Sequence, residues 1–323
     1  MTVRAEHTVA APVPVEAIEP GDVLLVRSVP GEPLGRLITT LDRSPYAHAG
    51  IALGNGLMMS ARQSLVLDGR IDVGGLRVDP LEHFWRDGRS IHRLPVDDPA
   101  RRARALGFAA RVRGTSDGEF SVPKTLLIAG ALWAADRANP EVTEEERARL
   151  LPLITAAGAA WVAPESEPAY YCAEFVAAAF GATFRLDDLT PPGVPAAPVL
   201  PGLGGMRGRA ASGLLALGAT PEQRRTLGAF VAEMERCDRG FVGAVAMSVL
   251  LSMSFRTGWG RGPRPVESDG DHLDPSTTAP GTGPVLPASL VTPRMLRDAA
   301  WTGTPQHVVP PPGAFPGAEM PSG

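Results

Sequence analysis

The chain has 323 residues, room for one large domain or two ordinary ones, and carries 31 Lys and Arg against 35 Asp and Glu, a formal net charge of −4. That balance gives no nucleic-acid signature, and Lys124 is the only lysine, so the positive charge is almost all arginine. Two cysteines, Cys172 and Cys237, are too few for a disulfide framework, and with six scattered histidines they offer no metal-ligand spacing, so neither a metal nor another cofactor is expected.

Residues 1–16 read as a flexible arm. Met1 to Ala10 has no apolar core of signal-peptide length after a basic start, and Glu6 and the prolines that follow spoil it further, so a cytoplasmic location is expected. Pro20-Gly21-Asp22 is a turn, with Asp22 tying it down, and Val23 to Arg27 a buried strand. Leu34 to Leu41 is a short helix. His48 to Gly56 is a strand that ends in a Gly-Asn-Gly hairpin turn, and Leu57 to Ala61 is the returning strand. Val66 to Val78 holds another hairpin, Pro80 to Trp85 one helical turn, and Ser90 to Leu94 a further strand.

The middle of the chain is helical. Pro99–Val112 and Val122–Arg137 carry apolar residues at three- and four-residue spacing, and Glu144–Ala160 follows with acidic residues in its first turn. A helix beginning near Cys172 comes next. Pro191 to Gly205 is a connector, and Pro221 to Trp259 a long helical stretch broken near Gly240 and Gly243. Within it, Phe241 to Phe255 is a 15-residue apolar run, short for a bilayer span of about 20 residues. A buried core helix is expected there, with peripheral membrane contact as the alternative. Gly260 to Pro287 has the composition of a disordered linker. Order resumes at Ser289, with Thr292 and Pro293 as N-cap and first helical residue, and the last dozen residues form a Pro/Gly tail.

Cys172 carries the clearest chemistry. It stands where a Pro-containing loop gives way to the apolar run Cys172-Ala173-Glu174-Phe175-Val176. A cysteine in the first turn of a helix meets unpaired backbone N–H groups and the positive end of the helix dipole, which favour thiolate. His48, in Ser44-Pro45-Tyr46-Ala47-His48-Ala49-Gly50-Ile51, is far upstream and is the candidate partner base. Glu174 reads as an N-terminal helix stabiliser and Cys237 as a buried helical thiol. His7, His83, His92, His272 and His307 read as structural or surface residues.

In this order the pieces resemble the permuted papain-like amidases, the branch of the NlpC/P60 superfamily typified by YiiX and YaeF. The carrying motifs are Gly21-Asp22-Val23-Leu24-Leu25, the Ser44–Ile51 segment, and Tyr171-Cys172-Ala173-Glu174-Phe175-Val176, with Val291-Thr292-Pro293-Arg294-Met295-Leu296 similar to the family's closing element. In that branch the histidine strand precedes the cysteine helix, as His48 precedes Cys172 here. The resemblance covers about 17–183 and 288–310. It implies an α+β fold, a small antiparallel sheet packed against helices: an arm 1–16, a papain-like domain 17–185, a helical insertion and linker 186–287, a closing element 288–310 and a tail 311–323.

The resemblance further implies a cysteine amidase or peptidase acting on peptide or acyl-amide substrates through an acyl-enzyme, with Cys172 as nucleophile and His48 as base. The backbone N–H of Cys172 would meet the oxyanion, helped by Tyr171 or the Tyr46 hydroxyl. The family places a polar residue, often Glu or His, on the strand after the histidine strand. Ser60 fills that position here, with Gln63 as a second candidate. A serine can bond the imidazole but cannot stabilise an imidazolium as a carboxylate does. Two rivals follow: a lipid-directed acyltransferase or thioesterase on the same fold, and a catalytically inactive papain-like interaction module.

Overall fold

Val23-Leu24-Leu25-Val26 is apolar at every position, a pattern a strand carries only where both of its faces are covered. The computed structural model bears out that pattern: β2 (Val23–Arg27) lies at the centre of a seven-stranded sheet, with all four residues fully buried. The structure describes residues 10–29, 33–62, 65–67, 70–72, 75–114, 128, 131–132, 135, 143–160, 170–189, 225, 229 and 285–312.

The architecture is α+β. The large sheet combines β1 (Ala10–Pro14), β2, β3 (Tyr46–Gly54), β4 (Leu57–Arg62), β7 (Gly75–Pro80), β8 (Ile91–Leu94) and β11 (Gln306–Val309) in the order β1-β11-β8-β2-β3-β4-β7. Among the described residues, two two-stranded ribbons complete the strands: β5 (Leu65–Leu67) with β6 (Arg70–Asp72), and β9 (Phe184–Arg185) with β10 (Val285–Leu286). The expectation of an antiparallel sheet is corrected at one edge, where β1 runs parallel to β11. The same pairing corrects the reading of 1–16 as a flexible arm over Ala10–Pro14, which pair with β11. Val285 and Leu286, read as linker, are likewise held by β9.

Six helices are described: α1 (Pro33–Asp42), α2 (Leu81–Arg86), α3 (Pro99–Gly114), α4 (Glu144–Ala160), α5 (Cys172–Phe180) and α6 (Pro293–Arg297). In α3, Ala105, Phe108, Ala109 and Val112 recur at helical spacing and are buried, while Asp98 Oδ1 accepts the N–H groups of Ala100 and Arg101 at its start. α5 is apolar nearly all round, as a helix sunk in a core must be, and ends at Gly181, whose φ of 57° is the left-handed conformation a helix terminus favours. Thr292 Oγ1 accepts the Met295 N–H at 3.3 Å, so α6 starts where its cap and proline place it. The 122–137 and 221–259 helices, the 241–255 run and Gln63 lie outside the described residues, apart from the isolated helical positions at 128, 131–132, 135, 225 and 229.

The sheet separates two apolar cores. One holds Val23, Leu25, Ala49, Ile51, Met59 and Ala61 with Phe108 of α3 and Cys172, Phe175 and Val176 of α5. The other holds Leu24, Val26, Ala52, Met58 and Ile91 with Leu81, Phe84 and Trp85 of α2. Since neighbouring residues on a strand point to opposite faces, membership of one core or the other fixes which way each side chain is aimed.

Candidate active site

Cys172 is the first residue of α5, with only 3 % of its surface exposed, and is a free thiol. Tyr171 precedes it in extended conformation, and the Glu174 carboxylate accepts the Tyr171 N–H at 3.2 Å, so Glu174 does act on the helix N-terminus. Burial pushes the thiol up to about 11. Backbone hydrogen bonds from Ala49, Ala173 and Cys172 itself pull it the other way, and the Asp42 carboxylate adds to the rise. The helix start therefore gives the sulfur the N–H environment expected of a nucleophile, but desolvation outweighs it and the resting group is a thiol.

His48 lies on β3, and its Nε2 and Ser60 Oγ share a 2.9 Å hydrogen bond in which either atom can donate. The imidazole stacks on Phe84, ring centroids 5.9 Å apart. Burial, with the nearby Arg62 and Arg89 charges, lowers its pKa to about 3. His48 is thus a neutral imidazole at physiological pH.

The two residues of the expected dyad approach β3 from opposite faces. Val26 pairs with His48 and Leu25 with Ala49, and Val26 and Leu25 belong to different cores. His48 therefore faces Phe84 and α2, while Ala49 faces α5 and the thiol. No hydrogen bond joins Cys172 to His48 among the described residues. The cause is local. The β2–β3 register shifts between Val26 and Arg27, so that Arg27 pairs with Tyr46 and Ala47 is left as the extra residue of a bulge. The bulge turns Tyr46 onto the thiol face and His48 away from it.

Tyr46 and Tyr171 both lie in the thiol-side core. The Tyr171 hydroxyl is buried with no hydrogen-bond partner among the described residues, and burial, then the Cys172, Glu174 and Asp42 charges, hold its pKa well above the ordinary range. Tyr46 stands edge-on to His92, centroids 5.2 Å apart, and His92 in turn lies 5.3 Å from His307 on β11. Burial is the main cause that raises the Tyr46 pKa.

Two participants carry no sequence signal. The backbone N–H of Ala49 reaches the sulfur only because β3 and β4 stop pairing beyond Ile51 and Met59, leaving residues 46–50 without a β4 partner. Asp42, at the end of α1, is fully buried and paired with Arg294 of α6. Burial raises its carboxyl to about 6 against the lowering effect of Arg294. Nothing local in the sequence marks Asp42 and Arg294, 252 residues apart, as partners.

Among the described residues, no three His, Cys, Asp or Glu side chains are grouped to hold a metal ion, and no helix is long and apolar enough to cross a membrane. A cleft of about 640 Å³ opens beside Val15, Ile18, Leu57, Trp85 and Pro311, and the candidate site residues do not line it. No family model, no curated protein and no solved structure matches the chain.

Proposed function

We propose that this chain is a cysteine hydrolase of amide or peptide bonds on a permuted papain-like fold. The observation that carries the reading is that Cys172 opens α5 with its sulfur hydrogen-bonded by the backbone N–H of Ala49, the residue after His48. One strand thus supplies both the candidate base and a donor at the sulfur. The chain order, histidine strand before cysteine helix, supports the permuted topology.

The proposed reaction requires His48 to reach the thiol face of β3, where the Cys172 proton passes to its imidazole. The thiolate attacks the acyl carbonyl carbon, forming a C–S bond, and the amine leaves with the proton from the imidazolium. Water then cleaves the thioester, releasing the acid and restoring the thiol. The oxyanion would be met by the N–H groups of Cys172 and Ala49, a pair of backbone donors of the kind acyl transfer requires. Ser60 would hold the imidazole, without the charge stabilisation a carboxylate gives.

A second reading, an interaction module without chemistry, draws support from the placement of His48 across the sheet from the thiol. The lipid-directed alternative rests on the 241–255 run, which lies outside the described residues. The test is a panel of acyl-amide and peptide substrates followed by mass spectrometry of the quenched enzyme. An acyl adduct on the Cys172 peptide, absent from Cys172→Ala and His48→Ala, supports the hydrolase. Turnover that survives Cys172→Ala overturns Cys172 as the nucleophile, and no adduct with any acyl donor favours the module.

A further inference from the structure

Two placements of the extra residue in β3 keep the same flanking pairs, and they differ in which way His48 points. In the observed register Ala47 is the extra residue, with Arg27–Tyr46, Val26–His48, Leu25–Ala49 and Leu24–Gly50 as partners. If Ala49 is the extra residue instead, Arg27–Tyr46 and Leu24–Gly50 are unchanged. Val26 then takes Ala47 as partner and Leu25 takes His48. Leu25 belongs to the core that contains Cys172, so the imidazole would be delivered to the thiol.

Resting on the hydrolase reading, the geometry points to β3 as a built-in switch: its bulge moves between Ala47 and Ala49, holding His48 on Ser60 in the latent position and bringing it to Cys172 in the active one. Three features of this structure favour the exchange. The extra residue is an alanine in both positions, while the exchange puts the imidazole where the buried Ala49 methyl stood and the Ala47 methyl where the imidazole stood. Residues 46–50 have no β4 partner, so the shift breaks ladder bonds on the β2 side alone. The side-chain hydrogen bond that resists it is His48–Ser60. A one-residue register change turns a strand's side chains to the other face, and here that change is confined to 47–49 by the bulge.

The observed position is inactive on its own terms. The thiol is buried and, at about 11, protonated at neutral pH, while the imidazole at about 3 is neutral and aimed at Phe84. In the second position the sulfur gains a proton acceptor on its own face of the sheet, and proton transfer from Sγ to the ring gives the thiolate–imidazolium pair. Acyl-substrate binding is the event that would favour that position, because it alone uses the pair.

Single-residue changes lock or bias the two positions. Deleting Ala47 removes the extra residue and fixes His48 toward Phe84. Deleting Ala49 fixes it toward Cys172. Ser60→Ala removes the hydrogen bond that holds the latent position. The readout is the rate of iodoacetamide alkylation of Cys172 at neutral pH, followed on its own peptide so that Cys237 is scored separately, with circular dichroism confirming the fold of each variant. Ser60→Ala and the Ala49 deletion are expected to alkylate at least about tenfold faster than wild type, the effect of lowering a thiol pKa by one unit. The Ala47 deletion should be no faster than wild type, and adding His48→Ala to Ser60→Ala should restore the wild-type rate.

A Ser60→Ala rate equal to or below wild type overturns the switch, since a fixed His48–Ser60 dyad predicts a loss. Fast alkylation that persists without His48 also overturns it, because the gain would then be mere exposure. Should the Ala49 deletion fail to fold, the Ser60→Ala pair decides alone. Fast, His48-dependent alkylation with no acyl adduct from any donor would leave the switch standing and remove the hydrolase reading.

Discussion

Asp42 and Arg294, 252 residues apart, form a buried pair beside the thiol: the Arg294 N–H donates to Asp42 Oδ2 at 2.9 Å, and its Nε lies 3.3 Å from Oδ1. The same guanidinium donates through Nη2 to the carbonyls of Asp188 and Leu189 at 2.8 and 2.7 Å. One side chain therefore ties the closing helix α6 to the end of α1 and to the turn after β9. Asp42 also raises the thiol pKa, so the pair that holds α6 in place also acts on the thiol.

Arg294→Met should cost on the order of 3–5 kcal/mol at pH 8, the penalty of removing one partner from a buried ion pair. Two carbonyls lose their donor and a buried carboxylate loses its counter-charge. The cost should shrink at pH 5, where Asp42, already raised to about 6 with Arg294 present, takes up a proton and no longer needs the cation. Urea unfolding of wild type and variant at both pH values checks this. An equal cost at both would mean that the carbonyl contacts, not the charge pair, carry the energy.

Gly50→Ala should destabilise the fold by about 1–3 kcal/mol through overpacking. A Cβ on Gly50 would stand 2.7 Å from Met58 Cγ, 2.8 Å from Met58 Sδ and 2.8 Å from the carbonyl oxygen of Met59. The methionine side chain can move aside, but the carbonyl belongs to β4 and cannot do so without moving the strand. A shift of the thermal midpoint by several degrees is expected, and a midpoint at the wild-type value would show that β3 and β4 separate more easily than their packing suggests.

Acid should unfold this protein earlier than its charge balance suggests. His48 and His92 have pKa values lowered to about 3 and about 4, in both cases chiefly by burial, and His307 is lowered as well. An unfolded histidine, near 6.5, takes a proton that these folded ones refuse, so their contribution is full above pH 6.5 and is lost as pH falls toward 4. Asp42 has the opposite sign: its raised carboxyl binds a proton in the folded state between about 6 and 4, returning part of the loss. The histidines outnumber it, so net stability falls over that window. His92→Phe should lessen the dependence by about one bound proton in unfolding curves taken from pH 7 to 4.5. An unchanged slope would assign the titration to His48 and His307.

How far the sequence anticipated this structure varied with the range of the interaction. The all-apolar β2, the Gly54-Asn55-Gly56 turn and the Thr292 cap were legible because each is decided by residues a few positions apart. The turn has φ values of 88°, 51° and 68°, which glycine and asparagine adopt at small cost. The parallel β1–β11 edge was not legible, since its partners lie at opposite ends of the chain. The site divides the same way. Cys172 at a helix start came from local pattern and Ser60 beside His48 from the family resemblance, while the face His48 occupies depends on one extra residue in a bulge. Alternation along a strand gives a side chain's face only where the register is unbroken.

Asp22 makes the sharpest test of how the turn before β2 is held. Its Oδ2 accepts the Glu19 N–H at 2.8 Å and the Arg93 Nε at 2.6 Å, and its Oδ1 accepts the Val96 N–H at 3.2 Å. Asp22 is therefore more than a turn residue: it clamps the start of β2 to the end of β8, its neighbour in the sheet. Asp22→Ala would strand two backbone donors and a guanidinium that is only 13 % exposed, for an expected loss of about 3 kcal/mol. Asp22→Asn keeps the shape and one acceptor oxygen, but its amide nitrogen would face donors, so it should recover less than half of that loss. Denaturant melts of both variants give the comparison. If Asp22→Asn is as stable as wild type, the clamp acts through shape and its charge is dispensable. If both variants lose the full amount, the carboxylate's two acceptor oxygens are needed together, as three converging donors require.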